Sequence, residues 1–206
     1  MEGFRIIGIT LPGEWESAAK EAEAIALYLN NNAVDLFHIR KPVADINYTQ
    51  DLILKIPPEY HKKLILHSHY SLFPLFEFGG VHIKINEDKI ASLESKIISR
   101  SCHSLDECLQ DAGNYTYSFL SPIFDSISKT GYLSSFSLED PGLVSVTSSH
   151  PIIALGGVIP AFFSKLFDAK FAGAALLGYL WSPKVPYHRK IQALLNNKHL
   201  IANKNI

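Results

Sequence analysis

Four short clusters in this sequence combine imidazole, cationic and hydroxyl side chains: His38-Ile39-Arg40-Lys41, His67-Ser68-His69, His82 with Lys84, and Arg100-Ser101-Cys102-His103. A polar stretch, Asp125-Ser126-Ile127-Ser128-Lys129-Thr130-Gly131, and two glycine sites, Gly156-Gly157 and Gly178, follow them. The set suits an anionic substrate. Arginine offers a rigid fork of donors to a carboxylate or phosphate, and lysine a mobile point charge. Arg40 and Lys129 are therefore candidate anion contacts, with His38 and Lys41 beside them; the competing reading of each cation is a solvated surface charge. Glycines let backbone N–H groups approach phosphate oxygens, and a helix N-terminus adds a favourable dipole. Pro160 fits such a helix start. Gly156, Gly157 and Gly178 thus form a candidate phosphate site, or else simply turn the chain. His103 is the candidate acid/base, because imidazole can both take and give a proton; its competing role is to cap the helix that follows. His67 and His69 stand two apart without a matching carboxylate cluster, so no metal site is expected there.

The elements that would position these groups follow from periodicity. Short apolar runs lie at 4–9, 34–39, 64–67, 80–83, 97–101, 117–120, 152–155 and 174–177, and most are rich in β-branched or aromatic residues and do not clearly alternate. Strands buried on both faces read this way. Helices are expected at 15–30, 47–55, 71–78, 104–112, 135–148, 161–168 and 186–197, with a weak one at 86–95. Asn30-Asn31-Asn32 stops the first, and Pro57-Pro58 bounds the second. Ser104-Leu105-Asp106-Glu107 is a capping-box pattern. Eight strands, each followed by a helical or connecting segment, predict an α/β chain folded as a single (β/α)8 TIM barrel over 1–206. An open doubly wound sheet is the alternative, since periodicity does not register closure. In a barrel the clusters above would meet at the C-terminal rim of the strands. The tail at 198–206 is expected to fray.

Composition narrows the function classes. With 206 residues, 47% hydrophobic content and a net charge of −1, the chain offers no electrostatic case for nucleic acid or an anionic membrane. Its two cysteines, Cys102 and Cys108, form neither a zinc pattern nor a disulfide framework and suit a reducing compartment. The first residues contain neither a basic leader nor an apolar stretch of membrane-spanning length. A cytoplasmic protein is expected.

The motif series resembles the thiamin-phosphate synthase/TenI family from Ile7 to about Leu195. The segments that carry the resemblance are Phe37-His38-Ile39-Arg40, Gly79 to Ile83, Arg100 to Glu107, Phe119 to Phe124 with Ser126 to Lys129, Pro151 to Gly157, and Gly173 to Gly178. The family implies a (β/α)8 barrel, commonly a homodimer, and a role in making thiamin from a small phosphorylated thiazole. It contains two main activities. The synthase joins a thiazole phosphate to a pyrimidine diphosphate and needs Mg2+. The TenI-type tautomerase moves a proton on a carboxythiazole phosphate, which makes the ring aromatic, and needs no cofactor. A non-catalytic ligand-binding regulator on the same barrel is a further alternative.

Departures from the synthase pattern favour the tautomerase. The synthase has glutamine–leucine–arginine–any–lysine after its second strand; here His38 takes the glutamine position and Pro42 the lysine position, with Lys41 displaced by one. Its asparagine–aspartate after the third strand, which helps to hold Mg2+, is matched by His67-Ser68. A hydroxyl is a poor substitute for a carboxylate on a hard cation. A second metal carboxylate, relevant only to a synthase, falls on Glu87 or Asp88. By resemblance the TenI catalytic histidine falls on His103, and Arg40 pairs with the substrate carboxylate. Ser126, Ser128, Gly156, Gly157 and Gly178 then hold the phosphate, with Lys129 helping to neutralise it.

Overall fold

The computed structural model describes residues 3–84, 97–110, 112–125 and 136–205. Its eight strands are β1 (Arg5–Ile9), β2 (Leu36–Ile39), β3 (Leu64–Leu66), β4 (Gly80–His82), β5 (Ile97–Cys102), β6 (Tyr117–Leu120), β7 (Ile152–Ala154) and β8 (Gly173–Leu176). They close into a barrel in sequence order, with parallel pairing. Helices lie between the strands, so the fold is a (β/α)8 TIM barrel. β2, β6 and β8 are buried along their whole length, the condition under which strands lose polar alternation. The chain divides into two compact units, residues 8–98, and residues 1–7 together with 99–206.

In the 8–98 unit, α1 (Ala18–Asn30) starts where the Ser17 hydroxyl accepts the Lys20 N–H. Its buried face runs through Ala18, Glu21, Ala22, Ile25, Tyr28 and Leu29, a helical repeat of three and four. It ends at Asn31, followed by Asn32 in the left-handed region at φ 53°. α2 (Ile46–Lys55) is capped by Asp45, whose carboxylate accepts the Asn47 N–H at 2.7 Å, and stops before Pro57-Pro58. The helix expected at 71–78 is instead a 3-10 turn, Tyr70–Leu75, with Pro74 inside it.

In the other unit the Arg5 N–H donates to the Ala172 carbonyl at 3.0 Å, and the Phe4 ring packs on Phe163 with centroids 5.6 Å apart. α3 (Leu105–Gln110) follows β5, and α4 (Pro141–Ser149) lies between β6 and β7. The helix expected from 135 therefore begins only at Pro141, where Asp140 caps it through the Gly142 N–H. α5 (Phe163–Asp168) follows a 3-10 turn opened by Pro160, and a short α6 (Gly178–Trp181) follows β8. The fraying expected at 198–206 is corrected: α7 (Tyr187–Ala202) carries on past Asn197, held by buried Ile191, Leu194 and Ile201. The weak helix at 86–95 lies outside the described residues.

Candidate active site

His103 leaves the end of β5 just before α3. The predicted capping box forms around it. The Ser104 hydroxyl accepts the Glu107 N–H at 3.2 Å, and the Glu107 carboxylate reaches back to the His103 N–H at 2.8 Å. These two bonds fix the backbone on both sides of the imidazole. The His103 ring is exposed, and its Nδ1 lies 3.0 Å from the Ser121 carbonyl at the end of β6. A carbonyl only accepts, so this bond places the proton on Nδ1 and leaves the Nε2 lone pair outward. His103 thus does not cap α3 with its side chain. Its Nε2 is the ring nitrogen that the bond to Ser121 does not use.

Beside it, the loops after β6 and β7 are joined by backbone bonds. Ile123 N–H donates to Leu155 and Phe124 N–H to Gly156. Gly156 and Gly157 adopt φ of 90° and 65°, where glycine alone is unstrained. A Cβ on Gly156 would meet Pro122 at 2.8 Å, and one on Gly157 would run into the Phe124 and Asp125 carbonyls. The turning role of these glycines is therefore real. It also leaves backbone exposed at the strand ends: among the described residues no acceptor takes the N–H of Gly157 or of Gly178. The register Ile153↔Gly173 and Ala154↔Ala174 starts the loops after β7 and β8 side by side. Ser126, Ser128 and Lys129 lie outside the described residues, as do Glu87 and Asp88.

The 8–98 unit carries the other candidates. Thr10 brackets the Arg40 backbone: its hydroxyl accepts the Arg40 N–H at 2.8 Å and donates to the Arg40 carbonyl. The Arg40 side chain is half-buried, and no carboxylate pairs with it among the described residues. Lys41 is different, and its expected role as an anion contact is corrected. Its ammonium is fully buried, bonded to the Glu21 carboxylate at 2.7 Å and to the Gly13 carbonyl at 2.6 Å. Its charge is already committed inside the fold. Burial pushes the Lys41 pKa down and that of Glu21 up, and the contact between them opposes both shifts.

His38 is also fully buried, and it packs against two other histidines. Its Nδ1 is hydrogen-bonded to His67 Nε2, and the His67 ring stacks on His82 at 3.9 Å between centroids. His67 and His69, two apart in sequence, have different partners. His69 takes a left-handed backbone, φ 54°, and its Nε2 lies 3.1 Å from the carbonyls of both Lys41 and Ala44. The register could have revealed the true trio. His38 pairs with Ile65, and Ile65 with Gly80. His67 and His82 stand two residues beyond those partners, so all three side chains fall on one face of the sheet.

Burial holds all three imidazoles neutral. It lowers His38 and His67 well below the usual range, with neighbouring charges adding to it, and brings His82 to about 3 with help from Arg40. These folded values lie below the unfolded value near 6.5. As the pH falls, the unfolded chain takes up protons first, so stability present above about pH 6.5 is lost on the way down towards 3. For His82, between about pH 6.5 and 3, the slope approaches about 1.4 kcal/mol per pH unit, and His38 and His67 act in the same direction. Urea midpoints at pH 7 and pH 5 measure it: the expected result is a clear drop at pH 5, and equal midpoints would contradict the assignment.

Among the described residues no helix is long and apolar enough to cross a membrane. A comparison with curated protein sequences gives no match. Among solved structures, the chain resembles thiamine phosphate pyrophosphorylase from Bacteroides thetaiotaomicron at 25% identity and TM-score 0.77, over 97% of this chain and 98% of that one. Thiamine phosphate pyrophosphorylase from Pyrococcus furiosus aligns at 14% identity and TM-score 0.74, over 96% of each chain. (S)-3-O-geranylgeranylglyceryl phosphate synthase from Thermoplasma acidophilum aligns at 11% and 0.67, over 95% and 93%; these last two likenesses speak to the fold alone. The family model described as thiamine monophosphate synthase, TMP-TENI, matches residues 8–180. The chain belongs to this family of thiamin-biosynthesis enzymes, the thiamin-phosphate synthase/TenI family.

Proposed function

We propose that the chain is a TenI-like thiazole tautomerase acting on a carboxythiazole phosphate. The observation that carries this reading is the donor set after β3, where the buried His67 imidazole and the Ser68 hydroxyl match the synthase's asparagine–aspartate pair, with Ser68 at the Mg2+ aspartate. That set does not fit Mg2+, which requires hard oxygen donors and usually a carboxylate. The burial of Lys41 supports the same reading, since it removes a cation that a diphosphate leaving group would need.

The proposed chemistry needs one acid/base and an anion clamp. His103 Nε2 takes the proton from the ring carbon, and the C–H electron pair enters the ring π system. The exocyclic carbon then receives a proton from the same imidazolium, so no group leaves and no electrons are lost. Arg40 offers its guanidinium to the substrate carboxylate. The N–H groups of Gly157 and Gly178, together with Gly156, Ser126 and Ser128, hold the phosphate, and Lys129 helps to neutralise it. The synthase is the second reading, supported by the likeness to the thiamine phosphate pyrophosphorylase from Bacteroides thetaiotaomicron. Turnover in chelator against turnover in Mg2+ separates the two.

The phosphate site has its own test. A crystal soaked in phosphate is expected to show an anion between the loops after β7 and β8. An anion seen only at other helix ends, with these loops turned away, would contradict the assignment.

A further inference from the structure

We infer that His38, His67 and His82 form a binding site for a divalent transition metal of borderline softness, with Zn2+ as its type. The three residues come from three successive strand ends, and their ring nitrogens all lie within 4.8 Å of one another. The rings are mutually packed, 4.7 Å between the centroids of His38 and His67, 5.7 Å between His38 and His82, and 3.9 Å between His67 and His82. Three neutral imidazoles with one further position is a recurring zinc donor set.

Donor type decides which metal fits. Imidazole nitrogen suits Zn2+, Cu2+ and Ni2+, whereas Mg2+ and Ca2+ take oxygen. None of the three residues is a carboxylate, so this is not the Mg2+ site of a synthase moved sideways. A Zn–N bond of about 2.1 Å in a tetrahedron separates nitrogens by roughly 3.4 Å. The outer limit of 4.8 Å therefore has to contract, and the His38–His67 hydrogen bond has to open. Both changes are movements of the imidazole rings, with no change of donor required. Each neutral ring carries one N–H, so opening the bond needs a change of tautomer in one ring and no loss of a proton.

Charge decides the fourth ligand. Three neutral nitrogens leave the full +2 of the metal uncompensated, and Arg40 adds a positive field at His67 and His82. The fourth ligand is therefore an anion, either hydroxide or a carboxylate. The inference does not rest on the tautomerase reading, because it is read by metal binding rather than by turnover.

The test uses the full chain stripped with chelator and then titrated with Co2+ as a spectroscopic stand-in for Zn2+. The wild type is expected to bind one equivalent, with the strong visible bands of a four-coordinate site. His67→Asn and His38→Gln should each weaken binding by more than about 100-fold, since even the partners of a ligand are typically worth 10- to 100-fold. His69→Asn, next in sequence but bonded to backbone carbonyls, should bind like the wild type. Anomalous diffraction from a Zn2+-soaked wild-type crystal guards against variants that fail to fold; the peak should lie between the three rings. Absence of a bound equivalent in the wild type, or an anomalous peak at other histidines only, would overturn the inference.

Discussion

His103→Gln is expected to lower kcat by about 10²- to 10⁴-fold on the thiazole substrate, the usual worth of general acid/base catalysis. Binding of the phosphorylated ligand should stay within a few fold. Glutamine keeps the length and a polar end but has no nitrogen that takes and returns a proton. The turn itself should survive, because Glu107 bonds to the backbone N–H at this position and Ser104 caps α3 independently. The paired variant, Arg40→Gln, should act on KM instead, since a charge-assisted contact present before and during proton transfer contributes uniform binding. Steady-state kinetics of both variants, with circular dichroism as the folding control, reads the split. A folded His103→Gln protein that binds ligand and keeps full kcat would make His103 structural and remove the proposed mechanism.

Lys41→Met is expected to destabilise the protein by about 3–5 kcal/mol, the typical cost of removing one partner of a buried ion pair. Both side chains of the pair are fully buried. The Glu21 carboxylate would keep only the Tyr48 hydroxyl, which donates to its other oxygen at 2.8 Å, and the Gly13 carbonyl would lose its partner. Replacing both members, Glu21→Leu with Lys41→Met, should recover most of the loss, because no uncompensated charge then remains. Urea denaturation of the three proteins measures this. A Lys41→Met midpoint equal to the wild type would show that the pair is not buried as described.

Much of the architecture was legible in the sequence. All eight strands lie where short apolar runs met polar ends, the pattern of parallel strands buried on both faces, although β5 is only half-buried. Ser104-x-x-Glu107 announced the start of α3 and, through it, the anchoring of His103. Other features needed the third dimension. Lys41 reads as one of a basic pair beside Arg40, and nothing local reveals that Glu21 waits 20 residues away beneath it. The one available hint was a glutamate on the apolar stripe of α1, between Ala18, Ala22 and Ile25. His38 and His67 are 29 residues apart, and only the strand register places them on the same face as His82. The spacing of His67 and His69 carried no pairing: His69 takes a left-handed backbone, and its ring meets the loop after β2. The length of α7 was missed where Asn196-Asn197 reads as a stop, although Ile201 continues the buried face of Ile191 and Leu194.

The most direct test of the tautomerase reading is to offer the purified protein both substrate sets in parallel. One mixture holds the carboxythiazole phosphate in chelator; the other holds thiazole phosphate and hydroxymethylpyrimidine diphosphate with Mg2+. The expected result is isomerisation to the aromatic carboxythiazole in the first and no thiamin phosphate in the second. Thiamin phosphate formed only with Mg2+, with no isomerisation in chelator, would contradict the reading and make the chain a synthase.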